Sequence, residues 1–119
     1  MTSVLNVDTI AAKDGTSAAT LTKQMAPKAW SETNSTGVTI LDSFNISSLT
    51  DTGTGQQTHN FTNSFSNANY CAVLTVRNNI NQIWIEEAQK FAGSAQGRAY
   101  TGSAYQDMPQ DVLFTGDLA

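Results

Sequence analysis

Nowhere in this sequence do apolar residues recur at the three-to-four-residue spacing that gives a helix one buried stripe. They come in short alternating runs, cut by Gly, Asn and Asp. That pattern points to strands, because neighbouring side chains on a strand face opposite ways and a two-residue period buries one face. The nearest approach to a helix is residues 85–92, Ile-Glu-Glu-Ala-Gln-Lys-Phe-Ala, which stop at Gly93 and are expected to give one or two turns.

Residues 3–10 set Leu5, Val7 and Thr9 against Val4, Asn6, Asp8 and Ile10, and end at Asp14-Gly15, a tight-turn dipeptide. Residues 18–23, centred on Leu21, complete an expected hairpin. Pro27 has no ladder donor and argues against a central strand around it. Residues 37–46 give the clearest strand, with Val38, Ile40, Phe44 and Ile46 on one face and Asp42 interrupting it. Residues 49–55 read as a turn-rich bend. Residues 58–65 put His59, Phe61 and Phe65 on one side, and residues 66–69 turn the chain again.

Residues 70–76 are apolar on both faces, which predicts a central strand covered on both sides. Asn78-Asn79 reads as a turn, and residues 80–85 as the returning strand with Trp84. Tyr100 and Tyr105 share one run, and Val112 and Phe114 lie on one face of the last. The expected fold is all-β: an antiparallel β-sandwich of about eight strands. An N-terminal β-hairpin or extended arm over residues 1–25 would serve docking or oligomerisation, with the sandwich over residues 26–119.

Composition narrows the function classes. The 119 residues suit one domain. Hydrophobic residues make up 39% and charged residues 13%, both low, with Thr, Ser, Asn, Gln and Gly filling the gap. A chain of that kind is expected to complete its core by pairing with copies of itself. The net charge is −4, and the six basic residues are scattered as Lys13, Lys23, Lys28, Arg77, Lys90 and Arg98. No basic stripe is available for phosphates, so nucleic acid is not an expected partner. Membrane insertion is not expected either, because no apolar run approaches spanning length. The first residues lack the basic and apolar regions of a signal peptide. Cys71, the one cysteine, sits in an apolar run and is expected to be a small buried hydrophobe.

The stretch Leu21-Thr22-Lys23-Gln24-Met25-Ala26-Pro27-Lys28-Ala29-Trp30 resembles a recurring module of phage tail-fibre and virion structural proteins, common in marine and cyanobacterial phages. The likeness continues through residues 42–55, the step Thr58-His59-Asn60-Phe61-Thr62, and Ala68-Asn69-Tyr70 opening an apolar strand. The opening residues 5–10 with Asp14-Gly15 and the close at residues 114–119 are similar to the module's leader and terminus. The resemblance is strongest over residues 21–76 and weakest over residues 78–110. It implies a β-rich, often trimeric protein without catalysis, displayed on the virion surface. Its partners would be itself, other virion proteins of capsid or tail, and a host surface glycan.

The residues supply no competing chemistry. His59 has no Gly-x-Ser-x-Gly elbow to serve and is expected to be an ordinary strand residue. Glu86 and Glu87 are adjacent, so on a strand they point apart and cannot form a glycosidase pair. One His and one Cys do not make a zinc site, and residues 51–55 lack the later ligands of a calcium loop. No catalytic, metal or cofactor residues are therefore assigned. Asn34-Ser35-Thr36, Asn45-Ile46-Ser47 and Asn60-Phe61-Thr62 match glycosylation acceptors by chance in an Asn- and Thr-rich chain. Trp30, Trp84, Tyr100 and Tyr105 are the candidate contacts, either in an oligomer interface or in a sugar-binding platform.

Overall fold

The computed structural model describes residues 26–75, 77 and 82–119. The expected N-terminal hairpin and the turn at Asn78-Asn79 lie outside these residues. The described chain is all-β, with eight strands: β1 (Ala29–Thr33), β2 (Ile40–Phe44), β3 (Ile46–Gly53), β4 (Gln56–Phe61), β5 (Cys71–Thr75), β6 (Gln82–Phe91), β7 (Ser94–Tyr100) and β8 (Asp111–Thr115). They form two four-stranded sheets, ordered β2-β1-β8-β5 and β3-β4-β7-β6. Every pairing is antiparallel. This is the expected sandwich.

The core follows from alternation. Ala29, Ser31 and Thr33 of β1, Gln57, His59 and Phe61 of β4, Ala95 and Ala99 of β7, and Val112 and Phe114 of β8 are all buried. One end of this interior is aromatic. Phe61 meets Phe65, Tyr70 and Phe114 edge-on, with ring centroids 4.9, 5.6 and 5.0 Å apart. Such edge contacts add about 0.5–1.5 kcal/mol per pair beyond the burial itself. The Tyr70 hydroxyl lies 3.0 Å from the carbonyls of both Phe91 and Ser94, and its one proton serves one of them at a time. Burial pushes that hydroxyl's pKa upward, and the negative charge of Glu87 adds to the shift. The other end is polar, built from Ser31, Thr33, Gln57, His59 and Gln110.

The apolar face expected along residues 37–46 is divided in two. Trp30 pairs with Phe44 and Glu32 with Asp42, and the register shifts before Thr33 meets Ile40. That irregularity turns Ile40 toward the core while Asp42 and Phe44 point outward. Asp42 therefore does not interrupt a buried face. Asn45 then adopts a left-handed conformation, φ 57°, and the chain crosses to the second sheet, where Ile46 is buried. Asn suits this corner because its side chain also bonds there. Nδ2 donates to the Lys28 and Asn63 carbonyls at 3.0 Å each, and Oδ1 accepts from the Asn63 amide at 2.7 Å.

Three further expectations are corrected. Most of residues 49–55 is strand, and the turn is confined to Thr54-Gly55. Gly55 is required there. Its φ is +67°, and an added Cβ would lie 2.6 Å from the Ala99 carbonyl oxygen. The central strand expected at residues 70–76 is an edge strand, β5, with Cys71 exposed and Val73 57% exposed. Residues 85–91 are not helical but belong to β6, which pairs with β7 in the other sheet and does not return beside β5. Ile85 pairs with Gly97 and Lys90 with Ala95, so five steps along β6 span two along β7. Glu86 to Gln89, four residues opposite Gln96 alone, form a bulge. A bulge abolishes strict alternation, which is why the segment does not read as a strand.

Candidate binding faces

The four candidate aromatic residues separate onto opposite faces of the sandwich. Trp84, Tyr100 and Tyr105 gather on the second sheet, and Trp30 lies on the first.

The gathering on the second sheet follows from register. Trp84 pairs with Arg98, and Gln82 with Tyr100. A bridge from Tyr100 to Tyr105 then folds the following loop back over the same face. The Trp84 and Tyr105 rings are 6.2 Å apart, and those of Tyr100 and Tyr105 are 5.4 Å apart. The Arg98 guanidinium lies 5.9 Å from the Tyr105 ring centroid. It is fixed there, because Nε donates to Gln96 Oε1 at 3.1 Å and pairs with Glu86 at 3.2 Å, while Nη1 donates to the Tyr105 hydroxyl at 3.4 Å. Gln96 is held in turn by its Nε2 bond to Thr52 Oγ1 at 2.7 Å. Thr58 and Gln56 continue this polar face on β4, paired with Gln96 and Arg98. Aromatic rings beside fixed amides, hydroxyls and a neutralised guanidinium can stack on the apolar side of a sugar ring and bond its hydroxyls.

Arg98, Glu86 and Gln96 were not among the sequence candidates. The signal for two of them is present as the two-residue spacing of Gln96, Arg98 and Tyr100. Glu86 sits in the bulge, where spacing carries no signal.

The outer face of the first sheet is of the opposite kind. Phe44 pairs with Trp30, Trp30 with Leu113 and Leu113 with Val73, so one apolar side chain from each strand lines up across the sheet. Phe44 is 56% exposed and Leu113 38%. An open groove of about 550 Å³ runs along this face, lined by Trp30, Glu32, Val73, Thr75, Asp111 and Leu113 among others. The next row is charged. Arg77 bridges Glu32 at 3.0 Å and Asp111 at 2.9 Å and also donates to the Thr33 carbonyl, while Asp42 stands opposite Glu32. A smaller cleft of about 370 Å³ lies where β5 and β6 face each other at the sandwich edge, lined by Leu74, Ile83, Ile85 and Lys90 among others.

Between the sheets, His59 Nδ1 lies 3.1 Å from Ser31 Oγ. Desolvation lowers the imidazole pKa from 6.5 to about 4, against a smaller raising effect from Gln110, so the ring is neutral at physiological pH. His59 and Ser31 are both sealed from solvent. The His59 Nε2 and the side-chain amides of Gln57 and Gln110 have no hydrogen-bond partner among the described residues. Among those residues, no three His, Cys, Asp or Glu side chains converge as they would around a metal ion. No family model, curated protein or solved structure matches this chain.

Proposed function

We propose that this protein is a non-enzymatic structural component of a bacteriophage particle. It is displayed on the virion surface as a short fibre or decoration protein and contributes to host attachment. The observation that carries this reading is the opposed chemistry of its two outer faces. The apolar ladder on the first sheet suits burial against protein, and the polar aromatic face of the second sheet suits exposure. The resemblance to phage tail-fibre and virion modules adds support, because the residues that carry it do structural work here. Ala29 of the Lys-Ala-Trp step is fully buried, Asn45 builds the corner between sheets, and Phe61 and Tyr70 form the aromatic core. Its partners in this reading are copies of itself, as a homotrimer, and neighbouring capsid or tail proteins. Nucleic acid and membrane insertion have no part in it.

A second reading, a receptor-binding tip that adheres to host surface polysaccharide, is favoured by the gathering of Trp84, Tyr100 and Tyr105 around a fixed Arg98. One variant tests both. Particles carrying Trp84→Ala should contain the protein in normal amount. If the aromatic face is the adhesive one, they should bind host cells roughly thirty-fold less, the effect of removing a hot-spot aromatic worth about 2 kcal/mol. Normal binding would remove the adhesive role from this face. Loss of the protein from the particle would place Trp84 in an assembly contact.

A further inference from the structure

We infer that the Glu86–Arg98 ion pair sets the ligand class of the second sheet's outer face, fitting it to an uncharged polysaccharide and turning away chains that carry carboxylate or sulfate groups. This rests on the adhesive reading of that face and names the kind of sugar it takes.

Arg98 and Lys90 are the two cations in the strands of the second sheet. Lys90 pairs with the buried Ala95 and lies over the Tyr70 ring, 5.0 Å from its centroid, on the inner side. Arg98 is therefore the cation that a ligand on the outer face would meet. An unpaired guanidinium beside exposed aromatic rings would draw carboxylates and sulfates through two parallel hydrogen bonds. Here the charge is already met. Glu86 stands 3.2 Å from Nε, and the Arg98 and Glu86 side chains are only 25% and 27% exposed. The pair holds Glu86 beside the Trp84 and Tyr105 rings, so an incoming anion faces a like charge in a partly desolvated setting. Discrimination of this kind works through the repulsive element as much as the attractive one.

What remains of Arg98 suits neutral acceptors. Nε is occupied by Gln96 and Glu86, and Nη1 donates once, to the Tyr105 hydroxyl. The other N–H groups of Nη1 and Nη2 have no partner among the described residues. They can donate to a sugar hydroxyl or ring oxygen, which needs no opposite charge. The face then continues without charge. Thr58 lies between Gln96 and Thr50 in the ladder. Asn60 Nδ2 donates to Thr50 Oγ1 at 2.9 Å and to Ser48 Oγ at 3.1 Å, so both hydroxyls accept from the protein and keep their protons for a ligand. A polyanion finds no counter-charge along these strands, and the chain's net charge of −4 repels it at longer range. A hydroxyl-rich neutral chain finds both donors and acceptors, with Tyr105, 39% exposed, and Trp84 to stack on.

The test is titration calorimetry of the full chain against polysaccharides that share a backbone and differ in charge. The pairs are dextran and dextran sulfate, carboxyl-reduced alginate and alginate, and methyl-esterified and free polygalacturonate. The wild type should bind at least one neutral member about ten-fold or more tightly than its charged counterpart. Trp84→Ala should lose that binding roughly thirty-fold. Glu86→Gln, close to isosteric, should acquire binding to the charged member that weakens with added salt, because the guanidinium is then unpaired. Combining it with Arg98→Gln should remove the gain, and thermal melts of each variant verify its fold. A wild type that binds the charged member as well as the neutral one would overturn the inference and leave the adhesive reading standing. So would a Glu86→Gln protein without the gain, or a gain that survives loss of Arg98. Binding to none of the six would remove the adhesive reading and the inference together. If Trp84→Ala particles then also lack the protein, the face belongs to a protein contact.

Discussion

His59 shows how far one residue can be read in advance and where the reading stops. Its alternation with Phe61 marks it as a strand residue on the aromatic side, and it is one, fully buried. What alternation does not supply is its surroundings. Gln57 is two residues away on the same strand, but Ser31 and Gln110 come from distant parts of the chain, and only the stacking of two sheets brings them to the ring. The consequence is a pH dependence. With a folded pKa of about 4 against 6.5, the unfolded chain binds the proton more readily. Stability should therefore be complete above about pH 6.5, fall as pH drops from there toward 4, and fall no further from this group below that. The loss should be roughly 3 kcal/mol in total. Urea denaturation from pH 7 to 4, compared with His59→Gln, should show this decline in the wild type and a flatter profile in the variant. Equal slopes would mean that His59 is protonated in the folded protein.

At the scale of the element, two of the misread segments share a cause, which is irregular pairing. The corner at Asn45 splits one apparent strand into two, and the bulge in β6 disguises a strand as a turn of helix. The apolar residues of β5 suggest a central strand, yet β5 lies on an edge with its outward row exposed. An exposed apolar row and a buried one read alike in sequence, since the difference lies in what covers them. Where the strand itself carries no bulge, as in β4 and β8, the faces are legible: His59 with Phe61, and Val112 with Phe114. The corner also carries a prediction. Asn45→Ala loses three side-chain hydrogen bonds and strains a left-handed residue, and should destabilise the fold by about 2–4 kcal/mol. Asn45→Gly keeps the backbone relaxed and should recover part of that. Thermal melts of the two variants check the order, and equal melting temperatures would mean that the backbone conformation carries no strain.

At the scale of the whole molecule, the sandwich is legible because period, turn spacing and composition all point the same way. The assignment of strands to sheets is not, since β8 sits between β1 and β5 through contacts far apart in sequence. The two faces follow from that assignment. Trp30 meets Phe44 through the neighbouring β2, but it acquires Leu113 and Val73 only when β8 closes the first sheet, and Trp84 meets Tyr105 only when the loop after β7 folds back. In the proposed function the apolar face is buried against protein and the polar aromatic face is displayed, as in a surface building block. The measurement that tests this most directly is its copy number in purified phage particles, by quantitative mass spectrometry against the major capsid protein. The protein should be present in fixed proportion. A number comparable to the capsid protein would make it a head decoration, and a much smaller fixed number a tail or vertex fibre. Its absence from purified particles, with the protein present in infected cells, would contradict a role as a virion building block.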